Sequence, residues 1–375
     1  MRRALAWFED GHTTVLPFEL TGGVPDKMKG GAFGGSLPIP VRVFHDGLFV
    51  TRATGEGLPL LGLRIASIAG TPIETAVAAS VASWSGENPA WGHIWSWLLL
   101  TSTGLLEGLG FLQGTGPSLP VVAAGADGAA VSALLGTNAG DPKGFTDLAG
   151  SPTPPESLAK AAGRGNYVRA IPEHRALYVS LDEMGDLEGY PAEKLTADIV
   201  AAMSVPSIKR LVVDLRRNGG GDNYAGEALR REIARSRFNA WGSLYVLTSP
   251  HTFSAAQNLA SRIERETLAI IVGEPTGSAP NMHGDAKPFT GPATGITAIV
   301  STLRWYDGGP HDKRRWIFPD LFVPSTFADW RSGTDRALET ALTHTPDKAV
   351  TFEERAFYFD RPSQKQEWRP FWRTA

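Results

Sequence analysis

Hydrophobic residues in the second half of the chain form short continuous runs, and the segments between them read as helices. The runs span residues 176–181, 211–215, 244–248 and 268–272, and the helical segments span 192–203, 224–236 and 253–264. Continuous apolar strands that alternate with helices indicate a buried, mostly parallel sheet. Ligands of such sheets bind beyond the carboxyl ends of the strands. We therefore look for chemistry in the loops that follow these runs.

The first third of the chain predicts short strands and turns. Two β-forming segments, 41–44 and 48–51, flank Asp46-Gly47, which favours a hairpin. Further strands are predicted at 60–68, 119–123 and 129–135, and a short helix at 73–81. Residues 84–112 are rich in Trp and Leu and predict helix. Their uncharged run, 94–106, is shorter than the roughly 18 residues of a spanning helix, so no membrane span is predicted.

A dense group of Pro, Gly, Ser and Lys residues at 141–166 indicates a linker. It divides the chain into five predicted parts. These are an N-terminal segment (1–34), a β-rich and helical region (35–140), the linker (141–166), a core (167–345) and a C-terminal tail (346–375). The fold class predicted from the pattern is α/β.

Composition excludes several kinds of chemistry. The 375 residues contain 36 Lys and Arg against 39 Asp and Glu, a balance that gives no support to nucleic-acid binding. The absence of Cys excludes thiol catalysis, disulfides and Cys-ligated zinc. His251, His283 and His311 lack metal-ligand spacing, so we predict neither a metal nor a cofactor. The apolar stretch at 4–8 is too short for an export signal, which favours a cytoplasmic location unless a further segment precedes Met1.

Three consecutive glycines follow the apolar run that ends near Asp214. Gly219, Gly220 and Gly221 permit positive φ and close approach of the backbone to a ligand. Successive N–H groups in such a loop can bind a phosphate, a carboxylate or a developing oxyanion. The alternative is a plain glycine turn in which Asn223 caps the next helix.

Ser254 lies at the beginning of the predicted helix that follows an apolar run. A serine at a helix N-terminus has neighbouring backbone N–H groups that can stabilise an oxyanion. The alternative is structural, because Ser254 and Gln257 match the S-x-x-Q pattern of a capping box.

Two further segments carry polar groups. A long loop at 273–284 follows another apolar run, and loops of this kind often carry function. The turn at 10–13 contains His12, which matters only if the fold brings it to Ser254, because a serine nucleophile needs a base within hydrogen-bond reach.

The four segments together, in this order, resemble one family. Asp-Gly-His-Thr at 10–13, Asp-Leu-Arg-Arg-Asn-Gly-Gly at 214–220, Thr-Phe-Ser-Ala-Ala at 252–256 and Gly-Glu-Pro-Thr-Gly at 273–277 are similar to the S41 serine peptidases. That family includes the C-terminal processing (tail-specific) proteases, the tricorn core and interphotoreceptor retinoid-binding protein. The likeness spans residues 9–343.

The resemblance implies a ClpP/crotonase-like core after a β-rich, PDZ-like region. It implies Ser254 as nucleophile and an oxyanion hole formed by the amides of Ala255 and of Gly219 or Gly220. In the tail-specific branch of the family, the base is a lysine in a Thr-x-Gly-Lys motif. This chain has Thr276-Gly277-Ser278-Ala279 there and lacks that lysine. The tricorn-like branch uses a histidine from the N-terminal segment instead, and His12 matches it. The remaining residues of the motifs are candidates for substrate binding or support: Asp214, Arg216, Asn218, Thr276 and His283.

The group that would orient His12 is left open, since the acids nearest the expected place are Asp307 and Asp312. A periplasmic or secreted location is implied if the chain is truncated.

Three functions remain open at this point. The first is a serine-type peptidase that acts on peptides or proteins through a Ser nucleophile and a His base rather than a Ser/Lys dyad. The second is a non-catalytic peptide- or lipid-binding protein on the same fold, with residues 84–112 as a possible apolar groove. The third is a crotonase-type acyl-thioester enzyme. The sequence does not fix the oligomeric state.

Overall fold

The computed structural model describes residues 2–15, 37–100, 103–112, 118–125, 128–136, 144–148, 165–293, 297–352, 354 and 367–373. The helices of five or more residues within these ranges are α1 (Arg2–Ala6), α2 (Ile73–Val81), α3 (Pro89–Ile94), α4 (Thr103–Leu109), α5 (Ala192–Met203), α6 (Glu227–Arg235), α7 (Ala255–Glu266), α8 (Phe327–Ser332) and α9 (Arg336–Thr343). Short 3₁₀ helices span Gly55–Leu60, Ser96–Leu100, Pro172–His174 and Phe371–Arg373.

The strands are numbered in chain order, and most are short. They are β1 (Thr14–Val15), β2 (Val41–Phe44), β3 (Gly47–Val50), β4 (Arg52–Ala53), β5 (Arg64–Ile68), β6 (Thr71–Pro72), β7 (Ser118–Ala124), β8 (Ala130–Gly136), β9 (Thr146–Asp147), β10 (Tyr167–Ile171), β11 (Ala176–Ser180), β12 (Arg210–Asp214), β13 (Leu244–Thr248), β14 (Ile270–Gly273), β15 (His283–Gly284), β16 (Lys287–Thr290), β17 (Thr297–Val300), β18 (Leu303–Arg304) and β19 (Leu321–Phe322).

The larger core is built on a six-stranded sheet in the order β10-β11-β12-β13-β14-β19. All neighbours after the antiparallel pair β10–β11 run parallel. Residues of α5, α6 and α7 join one buried cluster with the sheet, and residues of α9 join the cluster on its other face. This mixed architecture confirms the predicted α/β class. The sheet's carboxyl ends bring Asp214, Thr248 and Gly273 to one edge.

A second sheet, in the order β2-β3-β5-β7-β8, has its own buried cluster with α2 and α4. The predicted hairpin is present, as β2 and β3 pair antiparallel, with Asp46 in the turn and Gly47 at the start of β3. The predicted division into five parts stays a prediction, and most of the proposed linker (141–166) lies outside the described residues.

The prediction that residues 84–112 are helical is only partly correct. Asn88 caps α3, with its side-chain oxygen accepting the amide of Ala90 at 3.0 Å, and Pro89 occupies the first turn. A 3₁₀ helix then precedes α4. None of the helices that the structure describes is long and apolar enough to span a membrane.

The N-terminal turn reaches the larger core through a small sheet. Strand β1 pairs with β17, which pairs with β16, in a three-stranded antiparallel sheet. This pairing holds Thr14 and Val15 beside β17 and so anchors the chain directly after the turn at 10–13.

Candidate active site

Ser254 occupies a strained position immediately before α7. Its φ of 54° and ψ of −128° lie in a region that residues with a side chain rarely adopt. The side chain makes no capping hydrogen bond, and the side-chain amide of Gln257 instead donates to Ser261 Oγ at 3.0 Å. The capping-box alternative is therefore wrong.

The hydroxyl of Ser254 faces the ring of His12. The distance from His12 Nε2 to Ser254 Oγ is 2.8 Å, across a separation of 242 residues. This is a hydrogen-bond distance, as a base and its nucleophile require. The fold thus brings together the two side chains that the sequence analysis singled out.

Asp10 holds the turn that carries His12. Its Oδ1 accepts the backbone amide of His12 at 2.9 Å, and its Oδ2 accepts the Thr13 hydroxyl at 2.5 Å. Ser301, beyond the end of β17, donates its hydroxyl to Oδ1 at 3.0 Å. A buried carboxylate with three donors is a rigid anchor, so the turn is fixed before any substrate binds.

Aromatic stacking fixes the plane of the imidazole. The Phe253 ring stacks on His12 with centroids 4.5 Å apart, and Trp91 stacks on the other side of Phe253 at 3.8 Å. Trp91, from the 84–112 segment, therefore packs against the ring that stacks on His12. A Cβ added at Gly11 would lie 2.7 Å from the Phe253 ring, so the turn and the ring are in close contact.

The glycine loop passes directly beside Ser254. Gly220 has a φ of 114°, and a Cβ there would lie 2.5 Å from Cβ of Ser254 and 3.1 Å from the amide nitrogen of Ala255. The Gly220 amide donates to Asn218 Oδ1 at 2.9 Å. Asn223 does not cap the next helix: its side chain accepts from Asn258 at 2.8 Å, and Gly226 precedes α6. The plain-turn alternative is wrong in that respect.

Asp214, Arg216 and Asn218 support the loop. Arg216 forms two-pronged ion pairs with Asp214 and with Asp335, the residue that caps the N-terminus of α9. The charge of Arg216 keeps the pKa of Asp214 below its usual range although burial opposes this. The side-chain amide of Asn218 donates to the carbonyl of Leu181 at 2.9 Å. In the structure these contacts are internal, which favours support over substrate binding.

The loop after β14 contacts the nucleophile from another side. The Ser278 hydroxyl accepts a hydrogen bond from the Ser254 amide at 3.4 Å. Ser278 belongs to the segment 276–279, in which tail-specific proteases carry their lysine. Thr276 is fully buried and bonds to Ile317 and to the carbonyl of Ser278. The side chain of His283 is exposed, and its main chain lies beside His12.

Burial sets the charge state of His12. It lowers the pKa of the imidazole, and the charges of Asp10 and Asp285 and the main chain of His283 oppose this. The ring is therefore neutral at pH 7, which a base needs. Glu87 lies next to this turn, and the Gly11 amide donates to its Oε1 at 3.4 Å. Burial raises the pKa of Glu87 to about 8, and Asp10 contributes to the rise.

The two acids suggested for orienting His12 lie elsewhere. Asp307 pairs with Arg262, and Asp312 pairs with Arg314. Asp10 takes the place beside the histidine, and Glu87, Phe253, Trp91 and Ser278 are further site residues that the sequence analysis did not select. Asp10 was within reach, because an Asp two residues before His12 can form an Asx turn. Glu87 had no sequence signal, since it meets the turn only through the fold.

A cavity of about 670 Å³ lies on the other side of the Ser254 loop. It is bounded by the β2–β3 hairpin, the carboxyl ends of β12, β13 and β14, and α8. Residues 249–251 line it, as do His45, His93 and Trp330, whereas Ser254 and His12 do not.

The geometry can be compared with known proteins. No protein-family model and no curated protein matches the sequence. Mature CPAF in complex with lactacystin is similar over 91% of this chain and 87% of its own, at 14% identity and a TM-score of 0.59. Mature CPAF alone gives 14% identity, 91% and 86% coverage and a TM-score of 0.57. The chain shares its fold with mature CPAF.

The resemblance read from the four motifs is thus confirmed at the level of the fold. The photosystem II D1 C-terminal processing protease is similar over 90% of this chain and 85% of its own, at 15% identity and a TM-score of 0.36. That likeness is too weak to add to the CPAF comparison.

Proposed function

We propose that this chain is a serine-type peptidase in which Ser254 is the nucleophile and His12 the general base. The observation that carries the proposal is the 2.8 Å distance between His12 Nε2 and Ser254 Oγ. The backbone strain at Ser254 supports it, because strain of this kind collects at functional sites. The S41 peptidase fold agrees with it.

The reaction follows from the positions of the groups. His12 Nε2 accepts the hydroxyl proton as Ser254 Oγ attacks a peptide carbonyl carbon. The resulting imidazolium gives that proton to the leaving amine, which leaves an acyl group on Oγ. Water then attacks the acyl-enzyme, again with His12 as base, and restores the serine. Asp10 stabilises the transient positive charge on His12, since its negative charge acts more strongly on the ring than that of Asp285.

The amide of Ala255, first in α7, and the adjacent glycine loop form the oxyanion hole of the proposal. The amide points from the N-terminus of a twelve-residue helix, where the helix dipole favours negative charge. The Gly220 amide already donates to Asn218, so Gly219 is the second donor we favour. One such donor is worth about 3 kcal/mol in the transition state.

Reaction with a fluorophosphonate probe tests the proposal. We expect the parent protein to be labelled, and both Ser254→Ala and His12→Ala to lose labelling. His283→Ala is the matched control, because its exposed side chain is not needed, and it should label like the parent. Cleavage of a peptide library by the parent, absent in Ser254→Ala, then distinguishes a peptidase from another serine hydrolase.

Either of two results would overturn the assignment. Labelling that persists in Ser254→Ala would place the nucleophile elsewhere. Labelling that is lost in Ser254→Ala and in His283→Ala, but kept in His12→Ala, would mean that His283 is the base and His12 is not.

A second candidate function is binding without turnover. The cavity beside residues 249–251 favours it, because its volume of about 670 Å³ lies in the range of small-molecule sites. A well-folded parent that does not react with the probe, but that binds a peptide or lipid stoichiometrically, would support this function.

A further inference from the structure

Three potential metal ligands, Asp10, His12 and Glu87, lie close together at the candidate active site. One ligand atom each of Asp10, His12 and Glu87 lies within 4.8 Å of the other two. Asp10 and His12 come from the N-terminal turn, and Glu87 comes from the segment just before α3. Asp10 and Glu87 are both more than nine-tenths buried.

Two polar atoms of this cluster have no hydrogen-bond partner among the described residues. They are His12 Nδ1 and Glu87 Oε2, and both are shielded from solvent. The main chain of His283 lies near enough to the His12 ring to raise its pKa, but it makes no hydrogen bond of normal geometry to Nδ1. Buried polar atoms nearly always have a partner, and leaving one without costs about 1–3 kcal/mol. A ligand bound between these two atoms would give both of them a partner.

The donor atoms indicate which ligand this is. An imidazole nitrogen with two carboxylate oxygens suits Zn²⁺, whereas Ca²⁺ and Mg²⁺ prefer oxygen alone. Around a tetrahedral zinc ion with bonds of about 2 Å, ligand atoms lie roughly 3.4 Å apart. The ligand atoms lie within 4.8 Å of one another, so binding a zinc ion requires them to move closer together, and the Glu87 side chain is the one that the contacts described above hold least. Asp10 can still coordinate while holding its turn, because each carboxylate oxygen has two lone pairs.

We propose that Asp10, His12 and Glu87 bind one Zn²⁺ ion, and that this ion inhibits the serine. The open position on His12 is Nδ1, because Nε2 faces Ser254. When zinc takes the Nδ1 lone pair, the single proton of the neutral ring must sit on Nε2, and any proton on the Glu87 carboxyl passes to solvent. Nε2 then donates to Ser254 Oγ and cannot accept its proton.

This site differs from the sequence prediction of no metal. That prediction rested on ligand spacing along the chain, and Glu87 meets the turn only in the folded structure. The inhibitory consequence rests on the proposed function, whereas zinc binding does not.

Calorimetric titration of the untagged protein with ZnCl₂ tests the site. We expect one zinc ion to bind the parent, with affinity at least tenfold weaker in Glu87→Gln and in His12→Ala. Glu9→Gln is the matched control, because Glu9 is exposed next to the same turn and its carboxylate pairs with Arg315; it should bind like the parent. Circular dichroism of each variant checks that it is folded.

Zinc binding that is absent from the parent, or that is unchanged in both Glu87→Gln and His12→Ala, would overturn the site. The second outcome would mean that exposed histidines bind the ion.

Fluorophosphonate labelling tests the inhibition separately. In the parent and in Glu9→Gln, labelling should fall at least tenfold with one equivalent of zinc and return on adding EDTA. The ratio of labelling with and without zinc should be near one in Glu87→Gln. Labelling of the zinc-loaded parent at the zinc-free rate would overturn the inhibition. Zinc binding in a protein that never labels would support the site while removing the proposed function.

Discussion

The main chain of Gly220 passes so close to Ser254 that a methyl group at Gly220 would lie 2.5 Å from the serine Cβ and 3.0 Å from Oγ. The φ of 114° at Gly220 is also one that a side chain disfavours. No flexible side chain separates the two, so the glycine loop and the nucleophile can shift only together. The glycine is thus required by the space beside the nucleophile as well as by the turn.

We therefore expect Gly220→Ala to reduce the rate of fluorophosphonate labelling by at least 100-fold. The added Cβ must push Ser254 away from His12 or open the loop. Gly185→Ala is the matched control, since Gly185 lies in a nearby loop and a Cβ there would meet nothing within 4 Å. A Gly220→Ala protein that labels as fast as Gly185→Ala would show that the close approach is not needed.

Arg216 should matter for stability more than for substrate. It pairs with Asp214 and Asp335 in a partly buried network, and removing one member leaves uncompensated buried charge. We expect Arg216→Gln to lower the free energy of unfolding by about 3 kcal/mol, measured by urea denaturation. Arg369→Gln, which breaks the exposed pair with Glu367, should cost under about 1 kcal/mol. Equal losses in the two variants would contradict this role.

The sequence could predict the core because its signals are local. Buried parallel strands need continuous apolar runs, and those at 211–215 and 244–248 match β12 and β13 to within one residue. The helix at 192–203 matches α5 for the same reason. The break at Pro89 was also local, but the dense Trp and Leu residues around it concealed the change from one helix to three short ones.

The site was predictable only where its residues carry a motif. Ser254 and His12 could be paired through the resemblance, but S-x-x-Q fits a capping box equally well, and nothing local reveals a φ of 54°. Glu87 and Trp91 reach the site through contacts between distant segments. Such contacts depend on how the two sheets pack, which hydrophobic patterns along a single chain do not specify.

The pH dependence of labelling should reflect the lowered pKa of His12. Burial favours the neutral ring, so the base remains competent below the ordinary histidine pKa of 6.5. We expect the labelling rate to rise with pH through an inflection below 6.5. The negative charge of Asp285 raises this pKa, so Asp285→Asn should move the inflection to lower pH. Lys287→Gln, two residues away, is the control. An inflection at or above 6.5 in the parent, or an upward shift in Asp285→Asn, would contradict the assignment.

His93 should make the fold sensitive to acid. It is buried, and its Nδ1 accepts the indole N–H of Trp372 at 2.9 Å. Burial lowers the pKa of His93 to about 3, whereas the unfolded chain has an ordinary value near 6.5. Between these values the unfolded chain binds more protons than the folded one, so stability is lost as pH falls from 6.5 toward 3.

This effect of His93 on the free energy of unfolding amounts to about 2 kcal/mol between pH 7.5 and pH 5. His93→Gln keeps an acceptor for Trp372 but does not titrate. We expect the variant to be less stable than the parent at pH 7.5, and the difference to shrink by about 2 kcal/mol at pH 5. Urea denaturation of both proteins at the two pH values measures this. His174→Gln, at a site exposed to solvent, should leave the pH dependence of the parent unchanged. A difference between His93→Gln and the parent that stays constant with pH would mean that His93 accepts a proton in the folded state as readily as in the unfolded chain.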